Sequence, residues 1–208
     1  MRKAKLIVFE GTDNSGKETQ TKLLKQVLEE KGVAVESLHF PRYDSFYGQI
    51  VDKYLRGELG EIEKTSPYLI AIIYALDRLE VKPQIEKWLK EGKLVTCDRY
   101  VPSNLAHQAA RVHEEEREKF VSWAEELEYK INQMPKEDLV IYLYVPWQIN
   151  PPVGADLKRR QEAEKIYFYL AKIKKNWVKI DCCQDGRMRP KEEIHKEILK
   201  VLREKSII

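Results

Sequence analysis

The chain has 208 residues, of which 43% are hydrophobic and 34% are charged, a composition that suits one globular domain with a densely charged surface. Its formal net charge of +3 is too small to indicate nucleic-acid binding, so any site for an anion must be local. The sequence has no leader segment and no apolar stretch as long as a membrane span, so we expect a cytoplasmic protein without nucleic-acid or membrane partners.

Five short apolar runs alternate with longer helical patterns. They are Lys5–Glu10, Val33–Phe40, Leu94–Asp98, Leu139–Val145 and Trp177–Asp181. This alternation predicts a three-layer α/β/α fold, in which helices cover both faces of a five-stranded parallel sheet within a single domain over residues 1–208. Ligands of such sheets bind beyond the carboxyl ends of the strands, so the residues after each run are the candidates for a site.

The first run leads into Gly11-Thr-Asp-Asn-Ser-Gly-Lys-Glu-Thr19, after which a helical pattern begins near Lys17. A strand, a glycine turn and a helix in this order are typical of a phosphate-binding loop. Gly11 and Gly16 permit positive φ, and the loop N–H groups then face an anion at the helix N-terminus. Lys17 is placed to reach the outer phosphates, and the alternative of a solvated Lys17 in an ordinary turn is disfavoured by this context.

One residue of the loop departs from the usual motif. Ser or Thr normally follows the lysine, whereas this chain has Glu18 there and Thr19 one place later. Glu18 therefore removes the hydroxyl that commonly ligates Mg²⁺.

The second run ends in Phe40-Pro-Arg-Tyr43, and Pro41 marks the exit from the strand. This leaves Arg42 and Tyr43 at the ligand-binding edge of the sheet, although a surface role for Arg42 is an equal reading of these four residues. The next helix begins at Ser66-Pro67.

Tyr74 and Arg78 lie four residues apart in that helix. They share one helix face and can together stack on and hydrogen-bond to a planar polar ligand. Tyrosine at helical spacing is more often a core residue, so this pair alone does not decide the matter.

The third run ends in Asp98-Arg-Tyr100. A carboxylate at the end of such a strand commonly binds Mg²⁺ or its coordinated waters, and Arg99 can bind a phosphate through two hydrogen bonds. A helix expected over Val101–Val112 brings polar side chains to the same cleft, namely Ser103, Asn104, His107, Gln108 and Arg111. His107 has no partner in the sequence that would make it a general base.

A candidate lid over residues 147–160 follows the fourth run. Its first part, Trp147–Asp156, is the most loop-like stretch of the chain, and Lys158, Arg159 and Arg160 come directly after it. Three adjacent cations usually form a solvated face, yet at the base of a lid they can close over a transferring phosphate.

Five separated motifs together carry a resemblance to a known family. They are Phe9-Glu-Gly-x-Asp-x-x-Gly-Lys-x-Thr-Gln20, Phe40-Pro-Arg-Tyr43, Tyr74-Ala-Leu-Asp-Arg78, Asp98-Arg-Tyr100 with Ser103-Asn104, and the arginine-bearing segment after the fourth run. In order and spacing the chain resembles the thymidylate kinases, which are P-loop nucleoside-monophosphate kinases. The resemblance implies transfer of the γ-phosphoryl of ATP to dTMP, giving dTDP and ADP in dTTP synthesis, with Mg²⁺ as cofactor and a homodimer as the assembly.

The resemblance also implies roles for matched positions. The nucleotide would be held by loop residues Gly11, Asn14, Ser15, Gly16, Lys17, Glu18 and Thr19. Expected contacts to the monophosphate are Asp13 at the sugar hydroxyl, Arg42 and Arg99 at the phosphate, Tyr74 stacked on the base, Arg78, Asn104 and Gln108 at the base edge, and Phe40, Tyr43 and Tyr167 around it. Asp98, and Glu10 through water, would order Mg²⁺. Catalysis would draw on Lys17, Asp13, Arg99, Arg159 and Arg160.

Two further departures from the family pattern bear on catalysis. Asn14 stands where many relatives have a basic residue, which moves the expected catalytic cation to Arg159 or Arg160. Tyr144 stands where an aspartate often precedes Val-Pro.

Other functions stay open from the sequence. Another monophosphate kinase fits the same motifs, and a deoxynucleoside kinase would need a carboxylate base such as Glu10 or Asp98. Glu18 and the modified lid motivate a third hypothesis, a nucleotide-binding relative with weak catalysis. A GTPase is disfavoured because the sequence has no Asn-Lys-x-Asp motif.

Overall fold

Five parallel strands form the central sheet of the computed structural model, which describes residues 4–149 and 157–208. The strands are β1 (Lys5–Glu10), β2 (Val35–His39), β3 (Leu94–Asp98), β4 (Leu139–Tyr144) and β5 (Trp177–Asp181). Their order across the sheet is β2-β3-β1-β4-β5. The predicted parallel sheet is confirmed, and three of its strands have the predicted bounds.

Strand β1 occupies the middle of the sheet. Ile7 lies opposite Thr96 of β3 on one side and Leu139 of β4 on the other. The chain leaves β1 where the strand order changes direction, which is the usual ligand-binding point of an open parallel sheet. The Gly11–Thr19 loop therefore begins at the centre of the binding edge.

Seven α-helices lie in the described residues: α1 (Lys17–Glu29), α2 (Phe46–Leu55), α3 (Pro67–Lys90), α4 (Val101–Ala109), α5 (Arg117–Glu125), α6 (Leu157–Ile173) and α7 (Lys191–Glu204). A 3₁₀ turn, Glu114–Glu116, precedes α5, and a π-helical turn, Glu126–Ile131, extends it. Two short antiparallel strands, β6 (Cys183–Gln184) and β7 (Arg187–Met188), form a hairpin. The sequence did not predict α2, and α4 is shorter than the expected Val101–Val112.

Alternate residues of β1 point to opposite helical layers. Leu6 and Val8 belong to a core with side chains of α3, α4, α5 and α6. Ile7 and Phe9 belong to a second core with side chains of α1 and α7. Both faces of the sheet are therefore covered, as expected for a parallel sheet.

Helix α2 packs closely against the turn that follows β2. Ser45 caps it by accepting a hydrogen bond of 2.9 Å from the Gly48 N–H. A Cβ added at Gly48 would lie 1.7 Å from the Arg42 carbonyl oxygen. Only glycine allows this approach, which fixes the course of the Phe40–Ser45 turn beside the binding edge.

The candidate lid lies only partly within the described residues. Residues 150–156 are outside them, and α6 begins at Leu157, so Arg159 and Arg160 lie in its first turn. None of the described helices combines the length and the apolar character needed to cross a membrane.

Candidate active site

The Gly11–Thr19 loop has the backbone geometry of an anion cradle. Gly11 has φ +148°, and a Cβ there would lie 2.5 Å from the Leu143 carbonyl oxygen. Gly16 has φ +90° and is the N-cap of α1. Glycine is thus required at Gly11 by a close approach and at Gly16 by positive φ, and the loop ends at a helix N-terminus, where anions are favoured.

Lys17 lies against this loop. It is 6% exposed, and its Nζ donates a hydrogen bond of 2.8 Å to the Thr12 carbonyl oxygen. Burial, and secondly the charge of Arg99, lower the pKa of Lys17 to about 7. An anion at the loop would favour the charged form of this side chain.

Glu18 faces away from the loop interior. Its carboxylate forms an ion pair of 2.6 Å with Lys22, one turn further along α1, and its side chain is 73% exposed. Thr19 is also exposed. Glu18 therefore lies at the rim of the loop region.

Two adjoining depressions surround the loop. The first, of about 330 Å³, we name the aromatic cavity; it is lined by Thr12, Asp13, Phe40, Pro41, Tyr43, Tyr54, Leu55, Ile62, Tyr74, Arg78, Arg99, Tyr100, Ser103, Asn104, His107, Gln108, Arg111, Arg159 and Arg160. The second, of about 390 Å³, we name the loop cleft; it is lined by Asp13, Asn14, Gly16, Lys17, Glu18, Thr19, His39, Phe40, Pro41, Tyr43, Asp98 and Arg99. Five residues belong to both linings, namely Asp13, Phe40, Pro41, Tyr43 and Arg99, and of these Asp13 and Arg99 are charged.

Arg99 is held in place by three side chains. Its Nη2 donates to Asp13, and its Nη1 donates to Ser103 Oγ at 3.2 Å and contacts His107 Nε2 at 3.1 Å. Burial and the Arg99 charge lower the pKa of His107 to about 3, so neutral His107 accepts from Arg99. Although burial alone would raise the pKa of Asp13, the Arg99 charge holds it below the usual value.

The backbone of Arg99 has φ +64°. Few residues other than glycine adopt this conformation, and such positions concentrate at functional sites. The left-handed turn between β3 and α4 points the guanidinium toward the boundary of the two depressions.

The inner wall of the aromatic cavity contains Tyr74 and Arg78, the pair that share one helix face, together with Asn104 and Gln108, which the family resemblance places at a base. Arg78 is 1% exposed and forms a two-point ion pair with buried Glu128. Burial lowers the pKa of Arg78, but Glu128 more than offsets this, so the net pKa is raised. The cavity thus combines aromatic surface with a fixed cation.

Arg160 and Arg159 reach the aromatic cavity from α6. Arg160 is buried, and its Nη2 donates to the Asp13 carbonyl oxygen at 2.8 Å and to Thr12 Oγ1 at 3.2 Å. Arg159 lies 3.8 Å from Glu63. The structure thereby brings both predicted cations to the cavity wall and places Arg160 on the loop itself.

Glu10 is fully buried beneath the site. It accepts hydrogen bonds from the backbone N–H groups of Tyr100 (3.0 Å) and Ser103 (3.1 Å), from Ser103 Oγ (2.5 Å) and from Tyr167 OH (2.9 Å). These bonds satisfy the start of α4 and fill the carboxylate's acceptor positions. Burial raises the pKa of Glu10, and the hydrogen bonds oppose this.

Five predicted site residues line neither depression: Glu10, Gly11, Ser15, Arg42 and Tyr167. Gly11 and Ser15 are buried within the loop itself. Glu10 and Tyr167 lie beneath the aromatic cavity because each is fully engaged with Ser103 and the other. Arg42 is turned away because its side chain donates to Asp77 and Glu80. Direct ligand contacts of the Glu10, Arg42 and Tyr167 side chains would require this arrangement to change.

Of the three carboxylates that line the loop cleft, Asp13, Glu18 and Asp98, Asp98 is the one at the end of a sheet strand. Burial raises its pKa, and the charges of Lys17 and Arg99 oppose that rise. Among residues 4–149 and 157–208, no three His, Cys, Asp or Glu side chains converge as a metal cage.

Sequence reasoning missed the roles of Asp77 and Glu128, and it placed Arg111 near the cleft without finding its partners. Asp77 holds the Phe40–Ser45 turn by accepting from the Arg42 N–H and Ser45 Oγ. Arg111 joins Gln108 to carbonyl oxygens of the segment before α3. Glu128 lies in a charged helical run with no local sign of burial. Their partners are distant in sequence, so no spacing rule could have found them.

Comparison with known proteins decides the family. The model of the family "Thymidylate kinase" matches residues 9–198 of the chain. The chain belongs to the thymidylate kinase family. It is 32% identical over 205 residues to a thymidylate kinase of Plasmodium falciparum, covering 96% of this chain and 90% of that protein. It is also 35% identical over 183 residues to a probable thymidylate kinase of Pyrococcus horikoshii, covering 84% and 81%.

The solved structure of a thymidylate kinase from Candida albicans has the same fold. The two chains superpose with a TM-score of 0.78 at 19% identity, over 99% of this chain and 93% of the other. This likeness confirms the three-layer fold with a P-loop kinase sheet. Membership of the family identifies the chain as a nucleoside-monophosphate kinase, a phosphotransferase.

Proposed function

We propose that this enzyme transfers the γ-phosphoryl of ATP to dTMP, with ATP in the loop cleft and dTMP in the aromatic cavity. The observation that carries the proposal is the boundary shared by the two depressions, where Asp13 and Arg99 face both. Two substrates seated on either side of that boundary would have their reacting phosphates in contact with the same arginine. Positioning and charge neutralisation supply most of the acceleration in phosphoryl transfer.

On the donor side, the loop N–H groups and Lys17 bind the outer phosphates of ATP. Lys17 must leave the Thr12 carbonyl oxygen to do so, and it gains a proton as the anion arrives. Arg160, docked on the same loop, lies where it can neutralise the transferring phosphoryl group. The acceptor oxygen of a monophosphate is already an anion, so no general base is needed.

On the acceptor side, Tyr74 offers its ring to the base, and Arg78, Asn104 and Gln108 offer polar groups to its edge. Asp13 faces the sugar, and Arg99 binds the phosphate with a guanidinium already oriented by His107 and Ser103. The cavity volume of about 330 Å³ lies within the range of small-molecule sites.

Asp98 and Thr19 suit a Mg²⁺ ion that travels with ATP. Both line the loop cleft with Lys17, and oxygen is the donor atom that Mg²⁺ prefers. One carboxylate is enough for an ion held mainly by phosphates and water. When bound, Mg²⁺ supplies charge neutralisation at the phosphates. Glu10 does not contact the ion in this proposal. It fixes the start of α4 by accepting hydrogen bonds from the N–H groups of Tyr100 and Ser103.

The deoxynucleoside kinase alternative gains no support from these residues. It needs a carboxylate that can take a proton from a 5′-hydroxyl in the aromatic cavity. Glu10 is buried with its acceptor positions filled, and Asp98 lines the other depression. Asp13 does line the aromatic cavity, but its carboxylate is paired with Arg99.

A coupled assay of ADP release tests the proposal with dTMP, dUMP, dCMP, AMP and thymidine as acceptors. We expect turnover with dTMP and the largest kcat/KM for it. Preferred turnover of thymidine or AMP would reject the proposal, and tight binding of ATP and dTMP without turnover would support a catalytically weak relative.

We further propose a homodimer built on α2 and α3. Phe46 is 66% exposed, Leu69 53% and Ile72 37%, and apolar side chains grouped on neighbouring helices favour a protein partner. Sedimentation equilibrium measures the mass directly. The free cysteines Cys97, Cys182 and Cys183 suit a reducing compartment such as the cytoplasm.

A further inference from the structure

Glu128 is a charged residue buried in the wall behind the aromatic cavity. It lies in the π-helical turn Glu126–Ile131 and is 0% exposed. Its neighbour Leu127 is less buried. A buried carboxylate is costly unless it is paired, and a buried ion pair is often no more stable than an apolar replacement, so stability alone does not account for Glu128.

The two oxygens of Glu128 hold two residues of the cavity wall. Oε2 accepts from Arg78 Nε at 3.3 Å, and Oε1 accepts from Arg78 Nη2. Oε1 also accepts from Asn104 Nδ2 at 3.3 Å. The fork of Arg78 is therefore fixed on one edge, which leaves Nη1 as the donor without a partner among the described residues.

The same contacts fix the amide of Asn104. Its Nδ2 donates to Glu128 and to the Ala71 carbonyl oxygen at 3.0 Å, so both amide protons are used. Its Oδ1 is buried and has no hydrogen-bond partner among the described residues. Because carboxylate and carbonyl oxygens accept only, Asn104 cannot turn its amide around without losing both bonds.

The wall thus offers a donor from Arg78 beside an acceptor from Asn104. Thymine and uracil carry a carbonyl oxygen at C4 beside an N3–H, which is the complementary pair. Cytosine carries an amino group at C4 beside an unprotonated N3, which meets donor with donor and acceptor with acceptor.

We propose that Glu128 is a positioning residue that sets the base specificity of the aromatic cavity by locking Arg78 as donor and Asn104 as acceptor. This inference rests on the proposed function, since it takes the occupant of the cavity to be dTMP. Glu128 itself touches no substrate. It acts through the orientation of two side chains that do.

Glu128→Gln tests the proposal, because it keeps the size of the side chain and removes its charge. A glutamine amide can donate where the carboxylate could only accept, so the Ala71 carbonyl oxygen alone would then hold the Asn104 amide in its present orientation. We expect the KM for dTMP to rise on the order of tenfold, and the preference for dTMP over dCMP in kcat/KM to fall by a similar factor. The kcat at saturating dTMP and the KM for ATP should change by less than about threefold, since the reacting phosphates lie elsewhere.

Glu137→Gln is the matched control. Glu137 is a partly buried carboxylate near this helix, where it accepts from Tyr129 OH at 2.8 and 2.9 Å, but it lines neither depression. Glu137→Gln should leave the ratio of kcat/KM for dTMP to kcat/KM for dCMP as it is in the parent enzyme. Thermal unfolding of each variant checks that it is folded.

If Glu128→Gln does not fold, Glu128→Asp takes its place, because it keeps the charge but withdraws it from Arg78 and Asn104. The KM for dTMP should then rise while kcat is retained. A folded variant whose KM for dTMP and preference for dTMP over dCMP both stay within about twofold of the parent overturns the inference. Absence of dTMP turnover in the parent enzyme instead rejects the proposed function, and the inference with it.

Discussion

The two depressions beside the Gly11–Thr19 loop are built in different ways. In the aromatic cavity the charged side chains are already paired: Arg78 with Glu128, Arg99 with Asp13 and His107, and Arg160 with the loop backbone. In the loop cleft, Glu18 and Thr19 are exposed, and Lys17 is folded back on the Thr12 carbonyl oxygen.

This difference indicates where the enzyme is preorganised. Groups held by buried partners lose little conformational entropy when a ligand arrives, and they discriminate strictly. Backbone N–H groups and one lysine, by contrast, bind any triphosphate of the right shape. The acceptor side should therefore be the selective one, and the donor side should respond more to pH and charge.

Arg99 belongs to both depressions, so its substitution should have the largest effect. Arg99→Lys keeps the charge but loses the planar fork that contacts Asp13, Ser103 and His107 together. We expect kcat/KM for dTMP to fall on the order of 10²–10³-fold, measured by steady-state ADP release.

Arg117→Lys is the control for that substitution. Arg117 pairs with Glu162 at 2.7 Å and lines neither depression. If Arg99→Lys were as active as this control, Arg99 would not contact the reacting phosphates of both substrates, and the proposed placement of ATP and dTMP on either side of it would be wrong.

The strands could be predicted from the sequence because their signal is local. Runs of Val, Ile and Leu bounded by turn residues gave three of five strands their observed bounds. Helix α2 was not predicted, although Ser45 is a capping residue and Val51 and Tyr54 recur at helical spacing. Gly48 in its first turn argues against a helix when only the sequence is read, because the close approach of the Arg42 carbonyl oxygen that requires it is a tertiary contact.

The sequence predicted the motifs of the candidate site, but it did not predict how their side chains are oriented. Arg42 has a suggestive position at a strand end, yet its orientation is decided by Asp77, 35 residues away. Arg78 is oriented by Glu128, 50 residues away. Such pairs arise from the tertiary fold, and a single sequence gives the residue types without saying which charges meet.

The two arginines at the start of α6 offer a comparison within the aromatic cavity. Arg160 is buried on the loop backbone, whereas Arg159 faces Glu63 at 3.8 Å. We expect Arg160→Ala to lower kcat roughly 10–100-fold with little change in the KM for dTMP, and Arg159→Ala to have a smaller effect. Equal, full activity of both variants would mean that the catalytic cation comes from elsewhere.

Lys17 should make the loop cleft sensitive to pH. Its pKa of about 7 means that the free enzyme loses this proton near neutrality, while bound phosphate favours the charged form. ATP affinity is therefore full below pH 7 and should fall, approaching about tenfold per pH unit, above it.

Titration calorimetry in buffers of different ionisation enthalpy measures the proton that Lys17 takes up. Near pH 8, uptake should approach one proton per ATP, and it should shrink as the pH falls toward 6. Binding of dTMP, seated in the aromatic cavity, should lack this proton uptake near pH 8, since Lys17 does not line that cavity. Equal proton uptake for both ligands would contradict the proposal that ATP binds in the loop cleft beside Lys17 and dTMP in the aromatic cavity.

Glu18 should have the smallest effect, although it is the clearest departure from the usual loop sequence. Its carboxylate is directed to Lys22 at the surface of α1, and an exposed pair of this kind contributes little. Glu18→Thr places a hydroxyl where related loops have one, and Glu18→Gln removes the charge alone. Both should keep kcat and the Mg²⁺ dependence of turnover within about threefold of the parent. A large gain in the threonine variant alone would show that the donor side lacks a Mg²⁺ ligand, whereas a large loss in both would show that Glu18 supports the ion directly. Either result would mean that ligand binding in the loop cleft depends on a particular side chain as strongly as it does in the aromatic cavity.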